Sequence, residues 1–245
     1  MKIIFMKKKR GLKTRKKIRK PKAKKKKHEK ARQQFELRDL FIENRAFKTL
    51  ITSAIEVYNR ETNGVILGRN TIKEIKNERV KVISVKEVYP FQTEERKPSE
   101  VFHGNVAAFK RVLRTISSFE SEIIGGYHSH PHPYHVVRLS KGDIESIKDD
   151  IEAMTKTGQE RVKRGWMEIL LSIKRKDYAR PKGREWYISD YVKRLRCHLR
   201  TRERTGYDIL LSAYWVYPKN PEEGKLLKDT EFRVKEVAIF VPWNL

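Results

Sequence analysis

The chain has 245 residues and carries 57 lysines and arginines against 31 acidic residues, a formal charge of +26 at pH 7. Its single cysteine, Cys197, excludes an intrachain disulfide and with it the disulfide-stapled class of secreted domains. No run approaches the ~18 apolar residues of a membrane-spanning helix, and the apolar start is too short for a signal peptide, so we expect a soluble, cytoplasmic protein.

Positive charge is concentrated in residues 1–34, which hold 18 of the basic residues and a single acid, Glu29. Few apolar groups are available there to offset the entropy cost of ordering, so we predict a disordered tail followed by one domain over residues 35–245. Lysine-rich runs of this kind grip the phosphates of RNA or DNA by releasing condensed counterions. A solvated extension without a specific partner is the alternative interpretation.

From residue 35 onward the pattern predicts an α/β domain, a mixed β-sheet flanked by helices. Asn44 is the predicted N-cap of the first helix, and residues 91–104 are predicted as a loop. Residues 191–204 form a basic, helix-like stretch whose Cys197 we interpret as a packing residue. Strands are predicted at 37–42, 65–67, 80–89, 123–127, 166–173, 186–188, 209–217 and 232–241, and further helices at 106–116 and 144–154.

The most informative segment is His128-Ser-His130-Pro, which follows a predicted strand. Residues two apart on a strand share a face, so the two imidazoles can converge on one metal ion. Ser140-x-x-Asp143 precedes an apolar helical pattern and predicts a helix start, with Asp143 in the first turn pointing towards the histidines. Two imidazole nitrogens and one carboxylate oxygen suit Zn²⁺ and leave its fourth position to water, as in catalytic zinc sites.

Each of these elements also has an ordinary interpretation. A His-x-His pair arises by chance, and Ser-x-x-Asp is more often a plain helix cap. Three other histidines, His103, His132 and His135, are interpreted as solvated loop residues, although His132 lies close enough in sequence to compete as a ligand. The metal pattern by itself also lacks a general base.

Residues 123–131 (IIGGYHSHP), with Ser140 and Asp143, resemble the JAMM motif of the MPN-plus (Mov34/JAB) zinc metalloproteases. Residues 61–68 (ETNGVILG) are similar to the upstream Glu-x-x-Gly-x-x-x-Gly element of that family. The resemblance covers roughly residues 37–151 and implies the MPN/JAB, cytidine-deaminase-like fold. It also implies a deubiquitinase-like isopeptidase of archaeal type, acting on conjugates of ubiquitin-like proteins.

The resemblance assigns a role to each matching residue. His128, His130 and Asp143 match the zinc ligands, Glu61 matches the general base, and Ser140 matches the residue that stabilises the oxyanion. Without the resemblance, Glu61 would be interpreted as an exposed carboxylate at a helix end. Nine residues separate His130 from Ser140 where the motif has seven, and two extra loop residues cost little in closure entropy.

Two alternatives to a modifier-directed protease remain. The first is an MPN-type scaffold that the basic tail tethers to RNA or to a ribosome, although the full set of site residues argues against it. The second is a JAMM-type enzyme associated with nucleic acid, similar to the RadC-type branch. That branch has HNHP followed by Ser-Gly, whereas this sequence has HSHP followed by His-Pro.

Overall fold

The computed structural model describes residues 38–91, 95–97, 100–102, 106–116, 122–131, 138–156, 162, 164–180, 185–191, 193–200, 204–219 and 231–243. The basic tail, with its predicted disorder and its predicted RNA or DNA contacts, lies outside these residues. His103, His132 and His135 lie outside them too, so their interpretation as loop residues stays a prediction. No helix in the described ranges is long and apolar enough to cross a membrane.

Twelve strands and three helices make up the described part of the chain. In chain order they are β1 (Asp39–Ile42), α1 (Asn44–Glu56), β2 (Asn63–Ile75), β3 (Glu78–Pro90), β4 (Glu95–Lys97), β5 (Glu100–Phe102), α2 (Val106–Ile116), β6 (Glu122–Pro131), α3 (Lys141–Lys156), β7 (Trp166–Asp177), β8 (Glu185–Tyr191), β9 (Arg194–Arg200), β10 (Thr205–Pro218), β11 (Phe232–Val237) and β12 (Ile239–Phe240).

One large sheet runs in the order β12-β1-β3-β2-β6-β7-β10-β9-β8, and β11 adds to β10. Strand β1 is parallel to β3 and to β12, and β6 is parallel to β7, whereas the other pairs are antiparallel. The sheet is therefore mixed, as predicted. Strands β4 and β5 form a separate hairpin inside the segment that was predicted as a loop.

The predicted α/β fold class is wrong. The protein is mostly β, a curled mixed sheet with three short helices, and not the helix-flanked sheet that the MPN/JAB resemblance implied. Part of the error lies in the basic stretch 191–204, predicted as helical, whose residues Arg194–Arg200 form strand β9. There Leu195 and Cys197 are fully buried while Arg196 is exposed, a two-residue alternation that belongs to a strand.

The first two long strands also exceed their predicted lengths. Residues 65–67 and 80–89 are the buried or β-branched parts of β2 and β3, which span 13 residues each. Their hairpin turns at Lys76 and Asn77, whose φ angles are 51° and 66°. Two positive φ angles in succession are typical of the type I′ turn that matches the twist of long paired strands.

The three short helices pack locally against the sheet and do not form the flanking helical layers that the resemblance implied. Helix α1 packs on one face, where the Tyr127 hydroxyl donates to Ser53 Oγ at 3.2 Å. The predicted N-cap is wrong by one residue, because α1 begins at Asn44 and its cap is Glu43. Helices α2 and α3 contribute their buried side chains to the core on the other face. His128 and His130 point to this second face, which places them beside the start of α3.

Candidate metal centre

The two histidines lie inside strand β6, which continues to Pro131 and does not end before the motif as predicted. Their ring centroids are 4.9 Å apart, because the side chains of residues 128 and 130 project from the same face of the strand. The strand runs between β2 and the parallel β7 and approaches β7 very closely. A Cβ on Gly125 would lie 1.7 Å from the carbonyl oxygen of Met167, so only glycine fits there.

Asp143 reaches the histidines from the first turn of α3. Its Oδ2 accepts a hydrogen bond from the Ser140 N–H at 2.6 Å, and its own N–H donates to Ser140 Oγ at 3.1 Å. This reciprocal cap orients the carboxylate, leaving Oδ1 at 3.7 Å from His128 Nε2 and 3.8 Å from His130 Nε2. The structure thus brings His128, His130 and Asp143 together.

These three residues form a group that could hold a metal ion. Their candidate ligand atoms all lie within 4.8 Å of one another. Nε2 of His128 is buried and has no hydrogen-bond partner, which is costly for a polar atom unless something binds it. Donors around a tetrahedral ion at about 2.0–2.1 Å lie about 3.3 Å apart, and Asp143 Oδ1, at 3.7 and 3.8 Å from the two histidine nitrogens, needs only a small side-chain shift to reach that geometry. The residues therefore fit a small divalent cation.

Glu61 is held beside this group by a pair of hydrogen bonds to β6. The N–H of Thr62 donates to Ser129 Oγ at 3.0 Å, and the N–H of Ser129 donates to the Thr62 carbonyl at 2.9 Å. Because Ser129 lies between the two histidines in sequence, these bonds fix the residue next to Glu61 alongside the histidine pair. The Glu61 carboxylate comes within 3.9 Å of His130 Nε2, and 12% of its side chain is exposed.

Ser140 is an exposed residue at the start of α3. Its Oγ accepts the Asp143 N–H, and its side chain also hydrogen-bonds the Asp143 carboxylate. It touches the candidate ligands through Asp143, and its oxyanion role remains a prediction.

Charges in the site perturb each other. Burial by itself lowers the pKa of His128, but the hydrogen bond and charge of Glu168, with smaller effects of Asp143 and Glu61, raise it above its usual value. Burial opposes ionisation of Asp143, but the neighbouring His130 and His128 hold its pKa well below its ordinary range. Burial and the charge of Glu168 raise the pKa of Asp150 to about 7.

The sequence analysis missed Glu168, which lies on β7 directly behind His128. Its side chain is 5% exposed, and its Oε1 lies 2.6 Å from His128 Nδ1. The available signal was a lone acid in the apolar run WMEILLSI, since a buried carboxylate requires a partner. Cys197, by contrast, is buried in the core, and burial raises the pKa of its thiol to about 11, as expected of a packing residue.

Comparisons with known proteins add little about this site. No protein-family model matches the chain, and no curated protein matches it. Among solved structures, protein DSY2949 from Desulfitobacterium hafniense is similar, with 13% sequence identity and a TM-score of 0.43, over 82% of this chain and 92% of that one.

Proposed function

We propose that this protein is a zinc-dependent amide hydrolase in which His128, His130 and Asp143 hold the metal and Glu61 is the general base. The observation that carries the proposal is the convergence of three candidate ligands around a buried, unpartnered imidazole nitrogen, with the Glu61 carboxylate 3.9 Å from His130 Nε2. Two imidazoles and a single carboxylate are a donor set of borderline hardness, which favours Zn²⁺ over Mg²⁺ or Ca²⁺.

The arrangement supports a hydrolytic reaction without a covalent intermediate. Zinc bound at these residues would lower the pKa of a coordinated water to about 7 and polarise the scissile carbonyl. Glu61 accepts a proton from the attacking water and passes it to the leaving nitrogen as the C–N bond breaks. The Ser140 hydroxyl donates to the developing oxyanion. The products are a carboxylate and an amine, water supplies the added oxygen and protons, and no oxidant or reductant is needed.

The substrate class in this proposal rests on the resemblance of the motif to JAMM proteases. It predicts cleavage after the C-terminal tail of a ubiquitin-like protein, at a lysine isopeptide bond or a linear extension, in the cytoplasm. The residues by themselves support amide hydrolysis in general. A scaffold function would retain these contacts without catalysis, so one assay separates the two.

The test uses a ubiquitin-like protein ending in Gly-Gly and joined by an isopeptide bond to the lysine of a fluorescent peptide. We expect Glu61→Gln to reduce cleavage by about 10²–10⁴-fold, because general-base catalysis contributes about that much and Glu61 is the group assigned to accept the proton of water. Zinc content, measured by atomic emission, should stay near that of the wild type because Glu61 is not a ligand.

Glu56→Gln at the exposed end of α1 is the matched control and should cleave normally. Full cleavage by zinc-free protein, or by Glu61→Gln, would disprove the assigned chemistry. A wild-type protein that binds zinc yet cleaves neither this conjugate nor a peptide library would favour the scaffold function.

A further inference from the structure

Glu168 contacts Nδ1 of His128, the ring nitrogen opposite the one that faces the candidate metal site. In the parallel pairing of β6 and β7, Glu168 is opposite Gly126 and Leu170 is opposite His128. Glu168 and His128 therefore project from the same face of adjacent strands, offset by two residues. This offset allows the carboxylate Oε1 to reach Nδ1 at 2.6 Å, while Nε2 of the same ring faces Asp143.

The other oxygen of Glu168 is also fixed. Its Oε2 accepts a hydrogen bond from the indole N–H of Trp166 at 2.6 Å, and Trp166 is 1% exposed. A Cβ on Gly126 would lie 2.8 Å from the Trp166 ring and 3.1 Å from Glu168 Oε2. The absence of a side chain at Gly126 therefore makes room for the indole and the carboxylate behind the histidine.

We propose that Glu168 is a positioning residue that accepts the Nδ1–H of His128, locks the ring orientation and leaves the lone pair on Nε2 for the metal; this rests on the metal site in the proposed function. A ligating imidazole must be neutral and must present its unprotonated nitrogen to the ion. A carboxylate on the far nitrogen selects that tautomer and makes the ligand more basic. The Trp166 indole holds the carboxylate in place and so belongs to the same device.

Glu168→Gln is the sharpest variant because it keeps the size of the side chain. Glutamine has a single oxygen, whereas two donors, His128 Nδ1–H and the Trp166 indole, need acceptors. Either the amide N–H₂ faces the indole N–H, or it donates to Nδ1 and forces the proton onto Nε2. The first arrangement leaves the indole N–H without an acceptor and loosens the group behind His128, and the second turns a protonated nitrogen towards the candidate metal site.

The experiment titrates the full chain with Zn²⁺ against a chromophoric chelator and records the visible spectrum of the Co²⁺-loaded protein. We expect Glu168→Gln to weaken zinc binding by about 10–100-fold and to change the position or intensity of the Co²⁺ bands. Glu185→Gln, an exposed carboxylate on β8 of the same sheet, is the matched control and should behave as the wild type. Circular dichroism of the metal-free variants checks the fold.

A purely structural role for Glu168 would lower stability without changing the Co²⁺ spectrum of folded protein. A folded Glu168→Gln with wild-type zinc affinity and an unchanged Co²⁺ spectrum would overturn the proposal. If this variant does not fold, Trp166→Phe decides: it frees Glu168 Oε2, and an unchanged zinc affinity and spectrum would again be contrary to the proposal.

The outcomes also separate this inference from the proposed function. A wild-type chain that binds zinc and depends on Glu168 for affinity, but hydrolyses nothing, supports the positioning role and removes only the hydrolase. If the wild-type chain cleaves the conjugate and Glu168→Gln binds zinc normally, the hydrolase proposal stands and only the positioning role is disproved. A wild-type chain that binds no metal overturns both.

Discussion

Two histidine–carboxylate pairs lie on the same face of the sheet, and only one of them belongs to a candidate metal site. His128 pairs with Glu168, and His198 of β9 pairs with Asp208 of β10, each through Nδ1 and each at 2.6 Å. The strand register shows that the two pairs share a face. Leu170 of β7 is opposite both His128 of β6 and Ser212 of β10, so these three side chains project from one face. Asp208 lies four residues before Ser212 on the same strand and therefore projects from that face too. Local geometry at Nδ1 is thus the same in both pairs.

The surroundings of the two pairs differ. The Glu168 side chain is 5% exposed, and its Oε2 accepts a hydrogen bond from the buried indole N–H of Trp166. The Asp208 side chain is 26% exposed and forms an ion pair with Lys176. The far side of the His128 ring faces the carboxylate of Asp143, whereas the His198 ring stacks on the half-exposed Tyr187 with centroids 5.0 Å apart. Of the described residues, metal-ligating side chains converge in a group of three only around His128. In this protein a histidine–carboxylate pair therefore belongs to a candidate metal site only where other metal-ligating side chains lie near Nε2 of the histidine.

The most direct test of the difference between the two pairs is to replace each histidine in turn. Zinc at 100 times its Kd should raise the free energy of unfolding of the wild type by about 2.7 kcal/mol. We expect His128→Ala to abolish this increment and His198→Ala to retain it, since only His128 is a candidate ligand. Urea denaturation with and without zinc measures both. Loss of the zinc increment in His198→Ala would mean that the two pairs are coupled or that the ion binds elsewhere.

A second prediction concerns the pH dependence of the His198–Asp208 pair. Burial opposes ionisation of Asp208, but Lys176 and His198 lower its pKa below the usual value. The ionised carboxylate therefore stabilises the fold above the unfolded-state pKa of about 3.9, and this contribution is lost as the pH falls through the lower folded-state pKa. Asp208→Asn should cost about 1–2 kcal/mol at pH 7, and its difference from the wild type should shrink below pH ~4.

Urea denaturation across pH 2.5–7 tests this prediction, with Glu74→Gln, an exposed carboxylate on β2, as the control that should shift stability by less than about 0.5 kcal/mol. A constant difference between Asp208→Asn and the wild type down to the lowest pH would show that the charge of Asp208 contributes nothing.

The smallest expected effect is at Lys176, whose side chain is 42% exposed. Lys176→Met should lower the free energy of unfolding by less than about 1 kcal/mol, because solvent screens an exposed ion pair. The loss should shrink further in 1 M salt, where the Debye length is about 3 Å. A loss above about 2 kcal/mol that persists in salt would mean that the Lys176–Asp208 ion pair is shielded from solvent and contributes more than an exposed pair.

The sequence predicted the convergence of His128, His130 and Asp143 in a candidate metal centre better than the fold around it. Short-range rules were enough to predict that His128 and His130 share one face of a strand and that Asp143 lies in the first turn of a helix. Tertiary packing did not override these rules. Glu61 could be named only through the motif resemblance, because nothing near it in sequence reveals that Thr62 bonds to Ser129, 67 residues away. The stretch around Cys197 was predicted as helical because its many basic residues hide the alternation of buried and exposed side chains. Pairing with β8 and β10 makes it a strand.

By itself, the sequence determined the chemical types at the site, their order along the chain and the local turns that aim them, since these depend on spacing, capping and backbone preference. Only the tertiary structure decided which strands pair, that the sheet curls into a mostly β fold, and that Glu168 and Trp166 of β7 stand behind His128. Such contacts join segments tens of residues apart and depend on register and burial, which a run of residue types does not encode.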